Sequence, residues 1–565
     1  MIRKKVRLGD LLISEGIITQ EELEKALAKQ KEYREKGVNK KLGEILIELG
    51  FASEKEILEA LSKQLGFPFV DLYQENIDYD LMSSFPLTLI QQHQILPFKE
   101  DSDYLYVATA DPLDYDSLEL LEKFSPKPLK IFIALSKDIQ VILERLKVMI
   151  STHELVEKVK RELAGGGGEN ISAIDELLDL ILMKAIQERT TDIHIEPQKY
   201  NFIVRGRTDG VLREMFSFDK EIYFPLVSKI KLLANMDISE KRKPQDGRFT
   251  KEFKFNQNGE QKTHVYDFRV STAPTLYGES VVLRILDQEK ILLRMTELGM
   301  SEYNLKRFEK LIHSPYGIVF VTGPTGSGKT TTLYAAINEL KTIERKIITV
   351  EDPVEYELQL IQQIPVNSKI GLTFATILRS ILRQDPDVIM IGEVRDRETL
   401  EAAIQASLTG HLVLATLHTN DAASAVTRMI QMGAENYMVA DSLNGVVAQR
   451  LVRKICPYCK VEYFPPKNEI DIIKPYLKEE IKFYKGQGCK HCNFTGYLGR
   501  EMISEILIIN EEISHLIAIN MDKTEILKVA RKFGFISMIE DGINKIKNGI
   551  TTIDEILRVV RVDVL

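Results

Sequence analysis

A short apolar run, Gly317 to Val321, leads into Gly323-Pro324-Thr325-Gly326-Ser327-Gly328-Lys329-Thr330, and helix-forming sequence begins at Thr331. This is a GxxxxGK[ST] pattern in the strand–loop–helix setting that gives it meaning. The glycines let backbone N–H groups converge on phosphate oxygens, and the helix N-terminus adds a favourable dipole. Lys329 is placed to reach the β- and γ-phosphates of a nucleoside triphosphate, and Thr330 to ligate Mg²⁺. Such a loop needs a parallel α/β sheet around it. From about Leu298 to Gln449 the sequence alternates strands and helices in that way.

Ligands of these sheets bind beyond the carboxyl ends of the strands, and that rule sorts the acidic residues. Val388-Ile389-Met390-Ile391 reads as a buried strand; Asp385 and Asp387 precede it and fall at the wrong end, whereas Glu393 follows it and can hold the Mg²⁺ shell. Ile347-Ile348-Thr349-Val350 is another strand, followed by Glu351, Asp352 and Glu355. One of these acids is expected to orient or deprotonate the attacking water. His411 and His418 flank a third strand, Leu412 to Leu417. Their odd spacing turns them to opposite faces. His418 falls near the expected γ-phosphate, and His411 is as readily structural.

The chain has 565 residues, 44% of them hydrophobic and 28% charged, enough for several independent cores. No apolar run approaches the roughly 18 to 20 residues of a membrane span. The first residues, with Arg3, Lys4 and Lys5, lack the apolar core of a signal peptide, so a cytoplasmic location is expected. The net charge of −8 argues against a nucleic-acid partner, and no basic stretch interleaved with aromatics offers one.

Residues 164–170 read AGGGGEN, a flexible linker by composition. Ser172 to Glu188 has helical apolar spacing, and strand-rich sequence such as Phe202–Arg205 and Val265–Val270 follows. Before the linker, strand signals occur at Tyr104–Ala108 and Lys130–Ile133. From about Asn510 the pattern is helical. All four cysteines fall in two pairs, Cys456-x-x-Cys459 and Cys489-x-x-Cys492. In a reducing compartment that spacing reads as metal rather than disulfide. Four thiolates suit tetrahedral Zn²⁺ and leave no open catalytic position, so the role is structural.

Near the start, residues 7–30 and 41–64 repeat in register, matching Leu8/Leu42, Gly9/Gly43, Gly16/Gly50, Leu27/Leu61 and Gln30/Gln64. Each unit holds two helical stretches broken near Gly16 or Gly50. The period is also that of tetratricopeptide repeats, but their aromatic and small-residue pattern is absent.

The segments GPTGSGKTTT (323–332), ITVEDPVEY (348–356), RQDPDVIMIGEVRD (383–396) and TGHLVLATLHTND (409–421) resemble the Walker A, Asp-box, Walker B and His-box motifs of the secretion ATPase superfamily, in the branch of the type II secretion and type IV pilus assembly ATPases. The resemblance implies a homo-hexameric RecA-like motor with ATP held between two domains. It places Gly323 to Thr331, Glu351, Asp352 and Glu393 at the nucleotide. It makes Glu393 the Walker B acid, Glu355 the catalytic base in preference to Glu351, and His418 the γ-phosphate sensor. Pro244-Gln245-Asp246-Gly247-Arg248 and Asp267-Phe268-Arg269-Val270-Ser271 look like the segments whose arginines, Arg248 and Arg269, serve as arginine fingers. The tetracysteine element is typical of the assembly branch. The N-terminal repeat resembles an MshEN-type domain, in which Arg7, Leu8 and Gly9 with Lys41, Leu42 and Gly43 would bind cyclic di-GMP. Lys41 stands where that family has arginine, and the spacer from Lys31 to Lys40 is longer than its own. A helical docking module for a membrane partner is the other reading of this repeat.

The expected architecture is therefore α/β. Residues 1–150 form a helical and mixed N-terminal domain, 151–170 a linker, 171–295 an α+β, PAS-like domain with the arginines, 296–450 the RecA-like core, 451–500 the zinc element and 501–565 a helical end. The expected function is an ATP-driven motor for type IV pilus assembly, or alternatively for type II secretion. It would be peripheral at the inner membrane, through a platform protein and cytoplasmic assembly proteins.

Overall fold

The computed structural model describes residues 8–561 except 36–39, 53, 73–74, 76, 165–171, 258–259, 288–292, 466 and 478. Arg7 and the glycines at 165–168 lie outside the described residues. The chain divides into two compact units, 1–180 and 181–565.

In the first unit the repeat folds as two helix pairs, Leu8–Ser14 with Gln20–Glu35 and Leu42–Glu48 with Glu54–Leu65. Each pair turns through a glycine in the left-handed region, Gly16 at φ 74° and Gly50 at φ 72°. Leu12, Leu23, Ile45, Leu46 and Ile57 make a small core of their own. The Leu-Gly steps have a packing reason. A Cβ on Gly9 would lie 2.7 Å from Leu23 Cδ1, and one on Gly43 would lie 2.9 Å from Ile57 Cγ2. A three-stranded sheet follows, Ile95–Glu100 beside Leu105–Thr109 beside Leu129–Ile133. The helix Ser136–Ala164 then runs through residues 151–164, which the sequence reading assigned to the linker.

The second unit opens on a six-stranded antiparallel sheet with the helix Tyr223–Leu233. Its three longest strands are Gln245–Gln257, Glu260–Thr275 and Gly278–Asp287. Phe249 and Phe268 stack between two of them at 4.9 Å, which fixes their register.

The seven-stranded sheet carries the phosphate loop. Its order is Ile361–Pro365, Ile347–Glu351, Val388–Ile391, Leu412–Leu417, Gly317–Thr322, Leu443–Ile455 and Tyr497–Ile508. All neighbours are parallel except the last pair. The central strands are almost wholly apolar because helices cover both faces; Gly317–Thr322 and Leu412–Leu417 are buried at every position. Each fully buried valine, leucine or isoleucine there contributes roughly 1.5–3 kcal/mol. The last two strands run across residues 450 and 500, where the sequence reading drew domain boundaries, so the cysteine element is an excursion between adjacent strands of this sheet. Four helices close the chain, the last being Ile553–Val559.

Candidate nucleotide site and cysteine cluster

The phosphate loop leaves the central strand with Gly323, Gly326 and Gly328 at φ 152°, 79° and 87°. A Cβ on Gly323 would meet the Gln449 carbonyl oxygen at 2.5 Å, so the loop closes only with glycine there. The helix Lys329–Leu340 starts at the loop's end, with Thr330 and Thr331 exposed and its first N–H groups open to a phosphate. Pro324 and Thr325 form the exposed crest of the loop. Ser327 is buried beneath it. Lys329 Nζ donates to the Gly323 and Pro324 carbonyls at 2.8 and 3.2 Å. Burial lowers its pKa; Glu393 opposes this and Arg450 adds to it.

Three further loops converge at the same strand ends. Glu393 follows Val388–Ile391. Its Oε1 is 2.9 Å from His418 Nε2, and its Oε2 is 2.6 Å from Arg395 Nη2. Burial raises the Glu393 pKa, but the hydrogen bond from Arg395, with the charges of His418, Arg395 and Lys329, outweighs it and holds the carboxyl below its ordinary value. His418 is shifted downward, first by burial and then by the Lys329 charge, which favours the neutral imidazole. The chain on either side of His418 is pinned by Thr322, whose Oγ1 donates to the Leu417 carbonyl at 3.1 Å and accepts the Thr419 N–H at 2.8 Å. His411 is at the opposite strand end, where its Nδ1 lies 2.8 Å from the Ala406 carbonyl.

Glu351 and Glu355 separate clearly. Glu351 is the last residue of its strand and only 2% exposed. Its Oε1 accepts from Thr349 Oγ1 at 2.6 Å and Gln363 Nε2 at 3.0 Å, and its Oε2 from Tyr334 at 2.5 Å. The Glu351 carboxylate, expected at the nucleotide, is directed inward onto these three donors. Asp352 is exposed at the start of the loop. Glu355 is half-buried and meets the antiparallel sheet through an ion pair, Arg269 Nη1 to Glu355 Oε2 at 2.7 Å. Arg269 Nη2 also donates to the Val354 carbonyl at 2.8 Å. Arg248 pairs directly with Arg269 across the strands, so both arginines lie on the same face, and Arg248 is exposed.

Residue spacing did not reveal Tyr334, Thr322 or Gln449. Gln449 is wholly buried; its Nε2 donates to the Ser327 carbonyl at 2.7 Å and its Oε1 accepts from Thr332 at 2.9 Å. An amide directly after the apolar run Val446-Val447-Ala448 was the available signal, since such a group must find partners if buried.

The four cysteines come together, with every pair of sulfurs within 4.8 Å. Sγ–Sγ separations are 3.7 Å for Cys456–Cys489, 3.9 Å for Cys459–Cys492 and 3.8 Å for Cys489–Cys492. Tetrahedral thiolates about 2.3 Å from Zn²⁺ would lie about 3.8 Å apart, so the set fits that ion. The knuckles need bare backbone: a Cβ on Gly486 would lie 2.0 Å from the Gly496 carbonyl oxygen. On the first unit, Leu8 and Leu42 pack against the helical core, while Lys41 is ion-paired with Asp111.

Among the described residues no helix is long and apolar enough to cross a membrane. The Type II/IV secretion system protein family matches residues 168–558. The MshEN domain matches residues 65–152, a span that begins after the second repeat. Type IV pilus assembly ATPase PilB of Myxococcus xanthus is 38% identical over 567 residues, covering 98% of each chain. Type II secretion system protein HxcR of Pseudomonas aeruginosa is 49% identical over 385 residues, 68% of this chain and 77% of that protein. Type II secretion system ATPase E of Vibrio cholerae is 45% identical over 393 residues, 70% of this chain and 76% of its own. With a RecA-like core, a complete phosphate loop and these relatives, the chain belongs to the Type II/IV secretion system protein family and is a P-loop ATPase.

Proposed function

We propose that the chain is the ATP-hydrolysing motor of type IV pilus assembly, acting as a homo-hexamer on the cytoplasmic side of the inner membrane and pushing on a membrane platform protein. The observation that carries this reading is the match to a pilus assembly ATPase along 98% of both chains, N-terminal unit included. Type II secretion is the second reading, supported by the higher identity, 49%, over the part shared with a secretion protein.

ATP would bind between the phosphate-loop sheet and the arginine-bearing sheet. Lys329 would exchange its carbonyl partners for the β- and γ-phosphates, and Thr330 and Glu393 would hold Mg²⁺. Glu355 would take the proton of the attacking water as its oxygen bonds to the γ-phosphorus and the bridge to the β-phosphate breaks. Arg269 and Arg248 would balance the charge from one side, with His418 facing the γ-phosphate from the other. Opening and closing of the cleft would carry the work to the platform protein and its cytoplasmic assembly proteins. Zn²⁺ would hold Cys456, Cys459, Cys489 and Cys492 as a structural clip. Cyclic di-GMP would bind the N-terminal repeat, with Lys41 exchanging its Asp111 partner for a phosphate of the ligand. Absence of heat on titrating the full chain with cyclic di-GMP would leave the repeat as a docking module.

Lys329→Ala in the chromosomal copy tests the central reading by electron microscopy of the cells. Loss of surface filaments is expected. Cells that keep their filaments but retain exoproteins would point to type II secretion instead.

A further inference from the structure

Tyr334 lies in the helix that begins at the phosphate loop, is only 2% exposed, and has no part in the chemistry described above. Its phenolic oxygen does two things. It donates to Glu351 Oε2 at 2.5 Å and accepts the backbone N–H of Glu355 at 3.3 Å. On the other side of the same carboxylate, Gln363 donates to Glu351 Oε1 at 3.0 Å and to the Tyr356 carbonyl at 2.9 Å. The Gln363 Oε1 also accepts the Leu358 N–H at 2.6 Å. The backbone of residues 355–358 is thus tied by two side chains, and both are joined to one buried carboxylate.

This arrangement is more than local packing requires. A carboxylate enclosed in a protein interior is costly unless every lone pair is satisfied. An apolar residue at the end of this strand would avoid that cost. A charged hydrogen-bonded node, however, fixes its partners in direction as well as distance. Burial, followed by the hydrogen bond to Glu351, pushes the Tyr334 hydroxyl's pKa upward, so it stays a proton donor. The tyrosine is carried by the helix whose first turn would receive the phosphates, and the backbone it holds belongs to Glu355.

We propose that Tyr334 is a positioning residue for hydrolysis: anchored on Glu351, it aims the Glu355 carboxylate at the water that attacks the γ-phosphate bound over its own helix. The proposal rests on the reading of Glu355 as the base. Misplacement of a reacting group by about 1 Å costs on the order of 10²-fold in rate.

The test is Tyr334→Phe in the full chain. It removes one hydroxyl, keeps the ring, and leaves Lys329, Thr330 and Glu393 untouched. The expected result is a kcat lowered about 10- to 100-fold, with the Kd for a fluorescent ATP analogue and the KM unchanged. Adding Tyr334→Phe to Glu355→Gln is expected to cause no further loss, because the group being aimed is gone. A raised Kd with normal kcat would overturn the proposal, as would losses that multiply in the double variant. Wild-type turnover in Tyr334→Phe beside an inactive Glu355→Gln would sink the positioning role alone. Wild-type turnover in Glu355→Gln would sink the assignment of the base and this proposal with it. Should Tyr334→Phe not fold, Gln363→Met on the neighbouring strand loosens the same loop from its other side. The same drop in kcat at constant Kd is then expected, and an unchanged kcat would overturn the proposal.

Discussion

Arg269, on the antiparallel sheet, and Glu355, on the loop after the strand Ile347–Glu351, are joined at 2.7 Å. Each is half-buried, so the pair is less screened than a surface ion pair. The contact neutralises the arginine with the carboxylate proposed as base. A γ-phosphate bound beside this pair would compete with Glu355 for Arg269, and winning that competition would free the carboxylate for water. Glu355→Gln removes the competing charge. Turnover is expected to fall about 10²- to 10⁴-fold while equilibrium binding of an ATP analogue does not weaken. Weaker binding in that variant would mean that Glu355 helps to hold nucleotide instead.

Gln449 braces the phosphate loop from the neighbouring strand. Gln449→Leu keeps the approximate volume but strands the Ser327 carbonyl and the Thr332 hydroxyl without their partner. A buried polar group left unsatisfied costs about 1–3 kcal/mol. Nucleotide affinity is expected to drop at least tenfold, measured by fluorescence titration, and an unchanged Kd would contradict the bracing role.

The cysteine cluster predicts metal content. The reduced wild-type chain is expected to carry about one Zn²⁺ per chain by elemental analysis. Cys459→Ser should lose most of it and melt at a lower temperature, because a bound metal would hold the excursion between two strands of the core sheet. A carefully reduced chain without zinc would contradict the assignment.

Glu555 anchors the last helix. Its buried carboxylate pairs with Arg453 at 2.7 Å and Arg558 at 2.8 Å. Burial pushes its pKa up, yet the hydrogen bonds from Arg558 and Arg453 win and lower it from the ordinary 4.5 to about 2. A folded-state pKa below the unfolded one stabilises the fold at every pH above 4.5, and that stability drains away as pH falls from 4.5 toward about 2. The contribution is on the order of 3 kcal/mol at neutral pH. Glu555→Gln is therefore expected to lower the melting temperature at pH 7, with the gap to wild type narrowing as the pH drops below 4.5. A gap that stays constant through that range would contradict the linkage.

The phosphate loop was legible because its pattern carries its own context of strand and helix. The strand-end rule also separated acids correctly in space: Glu393 lies among Arg395 and His418, while Asp387 sits at the other end, its carboxylate accepting the Lys346 N–H. What the sequence hid was direction. Nothing in ITVEDPVEY says that Glu351 turns inward, since its partners Tyr334 and Gln363 come from other elements. The packing partners of the glycines at 9 and 43 were hidden in the same way: they seat Leu23 and Ile57, which come from other helices. The strands Leu443–Ile455 and Tyr497–Ile508 escaped notice because Arg450, Arg453, Arg500 and Glu501 break their apolar runs. The cysteines between them read in sequence as a separate module.

The most direct measurement is steady-state ATP turnover of the full chain carrying Arg269→Ala, beside its affinity for an ATP analogue. If ATP is hydrolysed between the two sheets with Arg269 as charge partner, turnover falls about 10³-fold or more while nucleotide still binds. Near-normal turnover in the assembled Arg269→Ala protein would contradict that account.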